Sequence, residues 1–294
     1  MSERVVFLLS GPAHLPYLLC SLRTLRNHWA GDVHVYAWPE SFRYMDMIAQ
    51  DKRLFVDGLH LREPVQRGRN SQFLDKIRLV QGLASEADKV IYLDADTTIH
   101  GSLQPLLMHL ERYSFVATQF CDWTTLGTTV RNRLDRLREI PEIDCRAIDL
   151  LATTPFPSVN GGVWAARPES PVLQRWEEWT AAAKERVFIA DEAVLHLLQV
   201  LERGMWVVTE HGRFNTSPKY QSDKLNAEQV VVMHYHGDSN VRPNKSLRGY
   251  EMWMPLWQEA WEDNLGGCRD WWPAVQADRA TRNKWMHALE TQDG

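Results

Sequence analysis

Short apolar runs alternate along the first two thirds of the chain with longer segments in which apolar residues recur every three or four positions. The short runs predict buried strands at 4–9, 33–38, 90–93, 113–118, 158–165, 206–209 and 230–235. The periodic segments predict helices at 15–29, 71–87, 170–184 and 191–203. Because strands and helices alternate, we predict an α/β fold with a mostly parallel central sheet flanked by helices.

The pattern changes after Arg242, where tryptophan-rich helical segments replace the alternation. We therefore predict one domain over residues 1–242 and a helical C-terminal extension over 243–294, packed on that domain. The chain has 13 tryptophans, and many of them fall in this extension. Burial in a core is the ordinary role of tryptophan, and a platform for stacking sugars or bases is the alternative.

Composition and charge exclude several classes of protein. With 33 Lys and Arg against 38 Asp and Glu, the net charge of -5 argues against general nucleic-acid binding. The four cysteines form no CxxC pair, which excludes a zinc ribbon and favours free thiols in a reducing compartment. No stretch approaches the roughly 18 apolar residues of a membrane span, and no targeting segment is visible. We therefore expect a cytoplasmic protein.

Two aspartates follow the predicted strand at 90–93. Asp94 and Asp96 stand at its carboxyl end, where open α/β sheets bind their ligands. Carboxylates two residues apart on a turning loop can converge on Mg²⁺ or Mn²⁺, which share their other positions with phosphates. A pair of solvated acids at a strand-to-loop turn is the structural alternative.

His234 and His236 follow the late apolar run at 230–232 and precede Gly237. If the strand continues, the two imidazoles share one face, and imidazole is a good ligand for Mn²⁺-type metals. The glycine would let the backbone approach a ligand closely. Histidines with purely structural roles are the alternative.

A second polar motif interrupts the strand predicted at 158–165. Gly161 and Gly162 indicate a bulge or a close approach of the backbone to a ligand. Asn160, just before them, offers both a donor and an acceptor.

Asp191 and Glu192 open the helix predicted at 191–203. Taken alone, Asp191 could be the N-cap, and two acids there also suit the helix dipole. Lys76 lies in the helix that precedes the aspartate pair, where a solvated surface lysine is the ordinary case and a phosphate-facing one the alternative.

Taken in this order, the motifs resemble those of a GT-A fold glycosyltransferase of the retaining glycogenin and lipopolysaccharide galactosyltransferase family. That family carries a "dkviYlDaD" strand, an Asn-x-Gly strand, an Asp-Gln-Asp helix start and a His-x-x-Gly segment. The counterparts here are 89–96, 160–162, 191–192 and 234–237. The resemblance spans roughly residues 5 to 240. It implies metal-dependent transfer of a hexose from a nucleotide-diphosphate sugar, expected to be a UDP-sugar, with retention at the anomeric carbon.

The resemblance implies a role for each position. Asp94, Asp96 and His234 would hold Mn²⁺ or Mg²⁺, and Asp94 would also contact the ribose. Asp191 would hold sugar hydroxyls, and Glu192 would stand beside the reacting carbon. The positions expected to contact the donor are Ser10, Gly11, Lys76, Asp94, Ala95, Asn160, Gly161, Gly162, His236, Gly237 and Arg242.

Three departures from the family pattern affect these expectations. The first loop, at 10–14, lacks the acids that hold uracil and ribose in the family, so the base is open. Arg242 or Lys245 replaces a family lysine that aligns near Asn240. Glu192 is ionisable where the family has a neutral amide. A carboxylate there could act as a nucleophile or a base, which leaves the stereochemical outcome open.

Two other functions remain as alternatives. A nucleotidyltransferase that makes nucleotide sugars would share the sheet design, but the first loop at 9–16 has one glycine and no Lys or Arg to hold a triphosphate. A non-catalytic sugar-binding protein on the same frame would not need the intact acids and histidine.

The acceptor is not identified by the sequence, and a glycan, a lipid-linked sugar or another molecule fits equally. Asp122 and Trp123 are candidate contacts in a variable loop. Arg131, Arg133, Arg136 and Arg138 could meet a phosphate-bearing acceptor. We favour the alternative, a solvated helix face paired with Asp135 and Glu139.

Overall fold

The computed structural model describes residues 2–51, 54, 56–65, 71–121, 123–153, 155–210, 212–221 and 226–235. The predicted extension at 243–294, with its tryptophans, lies outside these residues. Within them, no helix is both long and apolar enough to cross a lipid bilayer.

Nine strands form two sheets within the described residues. They are β1 Glu3–Leu9, β2 Asp32–Ala37, β3 Gly58–Leu61, β4 Lys89–Leu93, β5 Thr97–Ile99, β6 Phe115–Cys121, β7 Ser158–Ala166, β8 Met205–Val208 and β9 Val232–His234. The main sheet has the order β3-β2-β1-β4-β7-β6-β8, and β5 pairs with β9 in a small second sheet. Strand β7 is antiparallel to both neighbours, and every other pair of the main sheet is parallel.

Helices cover both faces of the main sheet. They are α1 Leu15–Leu25, α2 Pro39–Phe42, α3 Met45–Gln50, α4 Ser71–Gln81, α5 Gln104–His109, α6 Trp123–Leu137, α7 Cys145–Thr153, α8 Pro171–Ala183, α9 Ala190–Leu201 and α10 Pro218–Gln221. Val5 and Phe7 of β1 lie in the core under α1 and α5, whereas Val6 and Leu8 lie in the core under α4, α8 and α9. The alternation of strand side chains thus builds two cores, and the predicted α/β architecture is confirmed.

The structure corrects several predicted boundaries. Helix α1 ends at Leu25 and α4 at Gln81, earlier than the periodicity indicated. Strands β3 and β5 and helices α5 and α7 were not predicted, because their apolar patterns are too short or too polar to stand out. Of α6, only the helix face at 131–138 was expected. The expected irregularity at the paired glycines is present, since the β6–β7 register shifts between Ala117 and Cys121.

An aromatic cluster in one core positions two motifs of the site. Trp164 of β7 packs on Tyr92 of β4, with ring centroids 5.1 Å apart, and on Trp176 of α8 at 5.3 Å. The indole N–H of Trp164 donates to the Gly161 carbonyl (3.0 Å), and that of Trp176 donates to the Asp191 carbonyl (2.8 Å). The core therefore fixes the backbone of the glycine pair and of the acidic helix start.

His196 joins the first turn of α9 to β7. Its Nδ1 donates to the Glu192 carbonyl (2.7 Å), and its Nε2 accepts from the Val159 N–H (3.3 Å). Burial lowers the pKa of His196 to about 4. The neutral ring therefore satisfies one backbone group on each side, and protonation would remove its acceptor nitrogen.

We expect His196→Gln to flatten the acid limb of the stability curve. The folded pKa of His196 lies below that of the unfolded chain, so the unfolded state binds the extra proton and stability falls as the pH drops from about 6.5 toward 4. Between pH 7 and pH 5 this group alone accounts for about 2 kcal/mol of the unfolding free energy. Urea unfolding at both pH values measures the difference. If the wild type and His196→Gln lose the same unfolding free energy between pH 7 and pH 5, a buried neutral His196 is contradicted.

Candidate active site

The carboxyl end of β4 brings two aspartates and a histidine together. Asp94 is tied to β7 by its N–H, which donates to the Gly162 carbonyl (2.8 Å), and the Thr97 hydroxyl closes the turn on the Asp94 carbonyl (2.9 Å). Strand β5 then pairs Thr97 with His234 of β9. Nε2 of His234 lies 3.3 Å from Oδ1 of Asp96 and 3.8 Å from Oδ2 of Asp94.

This Asp94–Asp96–His234 group has the donor set of a divalent metal site. One ligand atom from each residue lies within 4.8 Å of the others, so a single ion could contact all three. Burial raises the pKa of Asp94, although Lys76 and His234 oppose the rise. Burial alone would lower the pKa of His234, but Asp96 and Asp94 raise it above its usual value. Carboxylate oxygens with one imidazole suit Mn²⁺ or Mg²⁺, so the residues present fit such an ion.

A buried ion pair lies beside that group. Lys76 of α4 places its Nζ 2.9 Å from Oδ2 of Asp191 at the start of α9, and the two side chains are 4% and 2% exposed. Burial alone would lower the pKa of Lys76, but the carboxylates of Asp191 and Asp94 raise it. Lys76 is therefore a charged lysine aimed into the site and not a solvated one.

The second carboxylate oxygen of Asp191 has a different environment. Its Oδ1 is buried and accepts no hydrogen bond within the part of the chain that the structure describes. A buried carboxylate oxygen without a donor is costly, and such groups in folded proteins usually meet a partner. A ligand that carries a hydrogen-bond donor would satisfy this oxygen.

The two glycines of β7 make room for both clusters. A Cβ on Gly161 would lie 2.4 Å from Nζ of Lys76, and a Cβ on Gly162 would lie 2.1 Å from Cε1 of His234 and 2.9 Å from Oδ2 of Asp94. Contacts this short do not occur between real side chains. The side chains that approach the backbone here are the protein's own charged groups, and the predicted close approach to a ligand stays a prediction.

Glu192 is held by an arginine from α6. Nη1 of Arg133 lies 2.9 Å from Oε2 of Glu192, and its guanidinium stands over the Phe188 ring at 5.7 Å. Burial raises the pKa of Glu192, and Arg133 opposes the rise. The prediction of a solvated arginine face is therefore wrong for Arg133, because tertiary packing turns it onto the site.

Arg131 of α6, and Arg138 just after that helix, fit that prediction better. Arg131 is exposed. Arg138 pairs with Asp135 at 3.5 Å and with Asp149 of α7 at 2.7 Å, all near the surface.

The backbone just before Asp191 is strained. Ile189, the N-cap of α9, has φ 52 and ψ 53 in the left-handed region, and it is the one non-glycine residue with positive φ in the described ranges. For a β-branched residue this conformation costs about 1–2 kcal/mol. Asp191 is the second residue of the helix, so its possible role as the N-cap is excluded and its side chain is used for Lys76.

Most of the predicted donor positions gather at the same edge. Ser10 and Gly11 follow β1, which is parallel to β4, so they lie at the same end of the sheet as Asp94 and Ala95. Asn160 is buried just before the glycine pair. His236, Gly237 and Arg242 lie outside the described residues, as do the acceptor candidate Asp122 and the side chain of Trp123.

Sequence analysis did not identify two polar residues that the fold brings to the site, and it named Arg133 only as a possible acceptor contact. The two are Tyr92, whose hydroxyl donates to Oδ1 of Asp94 (3.0 Å), and Asn215, whose Oδ1 lies 2.9 Å from Nδ1 of His234. Tyr92 reads as an apolar strand residue, and Asn215 sits in an ordinary polar loop. The one sequence pattern that could have indicated Tyr92 is the alternation of β4, because residues two positions apart along a strand share a face and Tyr92 precedes Asp94 by two.

Solved structures with the same fold identify the architecture. The chain has the GT-A fold of glycosyltransferases, as its solved structural neighbours show. The galactosyltransferase LgtC, in complex with donor and acceptor sugar analogues, matches with a TM-score of 0.60 and 15% identity over 89% of this chain and 99% of its own. Mouse xyloside xylosyltransferase 1 matches with a TM-score of 0.56 and 10% sequence identity. The match covers 81% of this chain and 98% of the mouse chain.

Two further matches bear on the comparison. The glycosyltransferase GlyE of Streptococcus pneumoniae has a TM-score of 0.57 and 16% identity, over 94% of this chain and 64% of its own. An active-site variant of LgtC with glutamine replaced by glutamate has a TM-score of 0.58 and 17% identity. No protein-family model matches the chain, and no curated protein sequence matches it.

We expect Gly162→Ala to disrupt the acidic group. The added methyl would displace His234 or Asp94, costing about 1–3 kcal/mol of stability and weakening Mn²⁺ binding. Gly82→Ala is the matched control, because a Cβ there meets backbone oxygens at an ordinary 3.4 Å. Thermal unfolding and Mn²⁺ titration by calorimetry measure both effects. Equal behaviour of the two variants would contradict the close approach of β7.

Proposed function

We propose that the protein is a metal-dependent glycosyltransferase that moves a hexose from a nucleotide-diphosphate sugar, a UDP-sugar by preference, to an acceptor with retention. The observation that carries the proposal is the Asp94–Asp96–His234 group standing beside the Lys76–Asp191 pair at one edge of a GT-A sheet. LgtC and xyloside xylosyltransferase 1, which share the fold, are named as sugar transferases, and this supports the same class of reaction here.

The charges of the site support a divalent cation as cofactor. Among the described residues, Lys76 and Arg133 face four carboxylates, those of Asp94, Asp96, Asp191 and Glu192. Asp191 and Glu192 are paired with Lys76 and Arg133. Asp94 and Asp96 lie next to His234, and one ligand atom from each of these three could contact a single ion. When Mn²⁺ or Mg²⁺ is bound there, it supplies positive charge that stabilises the departing diphosphate.

Lys76, Asp191 and Asn160 would hold the donor sugar. Asp191 offers its free Oδ1 to a sugar hydroxyl, while Lys76 keeps the other oxygen in place. Asn160 uses its own Oδ1 for the Gly162 N–H (3.0 Å) and the Asn215 amide (2.8 Å). Its NH₂ group is thus the part that can meet the ligand. One acceptor and one donor group, both fixed before binding, would orient the sugar at little entropic cost.

Glu192 would stabilise the positive charge that develops at the anomeric carbon. It is adjacent to Asp191, and Arg133 binds its Oε2, which holds the carboxylate in one orientation. An oxygen tied to a guanidinium is a weaker nucleophile, so the geometry favours electrostatic stabilisation over a covalent bond. We propose that Glu192 occupies the place of the family's glutamine, and the LgtC variant with glutamate in its active site is a parallel in a protein of this fold.

The remaining contacts are proposals from the family resemblance. Ser10, Gly11 and Ala95 would line the nucleoside site, and His236, Gly237 and Arg242 would meet the diphosphate. Residues 1–242 would form the catalytic domain, with 243–294 as an extension packed on it. We further propose a cytoplasmic enzyme whose acceptor is a glycan or a lipid-linked sugar.

Asp96→Asn should abolish metal-dependent release of nucleotide from the donor, because it removes one charge of the proposed metal site. We would incubate the protein with UDP-, GDP- and other nucleotide sugars, with and without Mn²⁺, and measure free nucleotide. Asp135→Asn, on the exposed side of α6, is the control with the same chemical change. Undiminished turnover in Asp96→Asn would refute the metal role. Mn²⁺-independent sugar binding without any turnover would support a sugar-binding protein instead.

We expect Glu192→Gln to lower kcat by about 100-fold with little change in KM, because the lost charge acts on the transition state. Steady-state donor hydrolysis measures both constants. Unchanged kcat would contradict the electrostatic role. A glycosyl adduct on Glu192 in the mass spectrum of the wild-type protein would instead identify Glu192 as a nucleophile.

A further inference from the structure

The histidine of the proposed metal site has a second buried contact. His234 Nδ1 lies 2.9 Å from Oδ1 of Asn215, while Nε2 faces Asp96 and Asp94. A neutral imidazole carries hydrogen on one nitrogen only, and a metal binds the other nitrogen. Which nitrogen carries the hydrogen therefore decides whether His234 can be a ligand.

Two backbone groups of β7 determine which way the Asn215 amide points. The Gly162 N–H donates to Oδ1 of Asn160 (3.0 Å), so this oxygen is an acceptor, and the Asn215 atom 2.8 Å away must be the NH₂ group. The Thr118 hydroxyl donates to a β7 carbonyl (2.7 Å), so its oxygen accepts from the same NH₂ group at 3.1 Å. The Asn215 carbonyl oxygen is thereby left facing His234.

Burial prevents the amide from turning over. Asn215 and Thr118 have no exposed surface, and His234 is 2% exposed, so water cannot replace a lost partner. Hydrogen bonds of the neighbouring Thr216, to the Val232 carbonyl (3.0 Å) and from the His234 N–H (2.8 Å), fix this segment to β9. A flipped amide would set two oxygens against each other, at a cost that a buried site does not recover.

We propose that Asn215 is a positioning residue that holds His234 with its hydrogen on Nδ1, so that the lone pair of Nε2 is presented to the divalent cation beside Asp94 and Asp96. The inference rests on the proposed metal-dependent function. An amide oxygen that can only accept requires the hydrogen at Nδ1. Without it, Oδ1 of Asp96, 3.3 Å from Nε2, would draw the hydrogen to the metal-binding nitrogen.

The first measurement reads the tautomer without metal. Long-range proton–nitrogen NMR spectra of ¹⁵N-histidine-labelled protein, taken well above the imidazole pKa, distinguish the two ring nitrogens. The chain has 11 histidines, and the signals absent from His234→Gln assign His234. We expect Nδ1–H in the wild type and in Asn215→Asp, whose carboxylate also only accepts, and a shift to Nε2–H in Asn215→Leu. Nε2–H in the wild type, or Nδ1–H kept in Asn215→Leu, would overturn the proposal.

The second measurement is Mn²⁺ affinity, from the free-ion signal in electron paramagnetic resonance. Asn215→Leu should weaken binding by about 10- to 100-fold, the usual effect of losing such a partner, and Asn215→Asp should restore it. Thr118→Val is the matched control, since it removes another buried partner of the amide but leaves Asn160 to orient it. A merely structural role predicts the reverse order, with a lower Mn²⁺ affinity in Asn215→Asp than in Asn215→Leu. The reason is that an aspartate carboxylate cannot donate to Asn160 or Thr118 and would be repelled by their oxygens.

The two measurements separate this inference from the proposed function. Wild-type protein that binds no Mn²⁺ would refute the metal site, and the tautomer spectra would still test Asn215. Tight binding in the wild type with equal affinity in Asn215→Leu would refute the role of Asn215 alone. Thermal unfolding of each variant, followed by circular dichroism, establishes that the compared proteins are folded.

Discussion

Burial of charge at the carboxyl edge of the sheet is the constraint on which the rest of the site depends. Lys76 and Asp191 are almost fully enclosed, and Glu192 and His234 nearly so. Charges taken out of water are tolerated only when they are paired and hydrogen-bonded. Lys76 and Arg133 satisfy that condition for Asp191 and Glu192, and the Asp94–Asp96–His234 group beside them has the donor set of a divalent metal site.

Strand β7 is the element that makes this concentration of charge possible. It runs antiparallel between β4 and β6, and its two glycines let Lys76 and His234 approach the backbone. Trp164 of the same strand packs in the core and bonds the Gly161 carbonyl. Packing and site geometry are thus coupled in one strand, and a change in its core contacts would be transmitted to the charged groups over a few ångströms.

The residues that sequence analysis identified share one property: each stands in a local pattern with a chemical reason. Asp94 and Asp96 follow a buried strand, Gly161 and Gly162 interrupt another, and Asp191 opens a helix. The structure brings these positions to one edge because β7, which is antiparallel to β4, sets Gly162 beside Asp94 at the end of β4. Lys76 then ties Asp191 to the same place. Arg133 and Asn215 have no such pattern, since their partners lie 59 and 19 residues away in the chain. Such pairs depend on how α6 and the loop before β9 pack.

The alternation of apolar runs by itself determined the α/β architecture, because burial on both faces of a sheet requires strands and helices in that order. Local patterns also identified Asp94, Asp96 and the His234–His236 pair as candidate ligands, and the family resemblance singled out His234. Only the tertiary structure decided the state of those groups: that Lys76 is buried and charged, that Glu192 is tied to Arg133, and that Asn215 faces His234. The physical reason is that ionisation and hydrogen-bond direction depend on distances across the fold, which the order of residues along the chain does not contain.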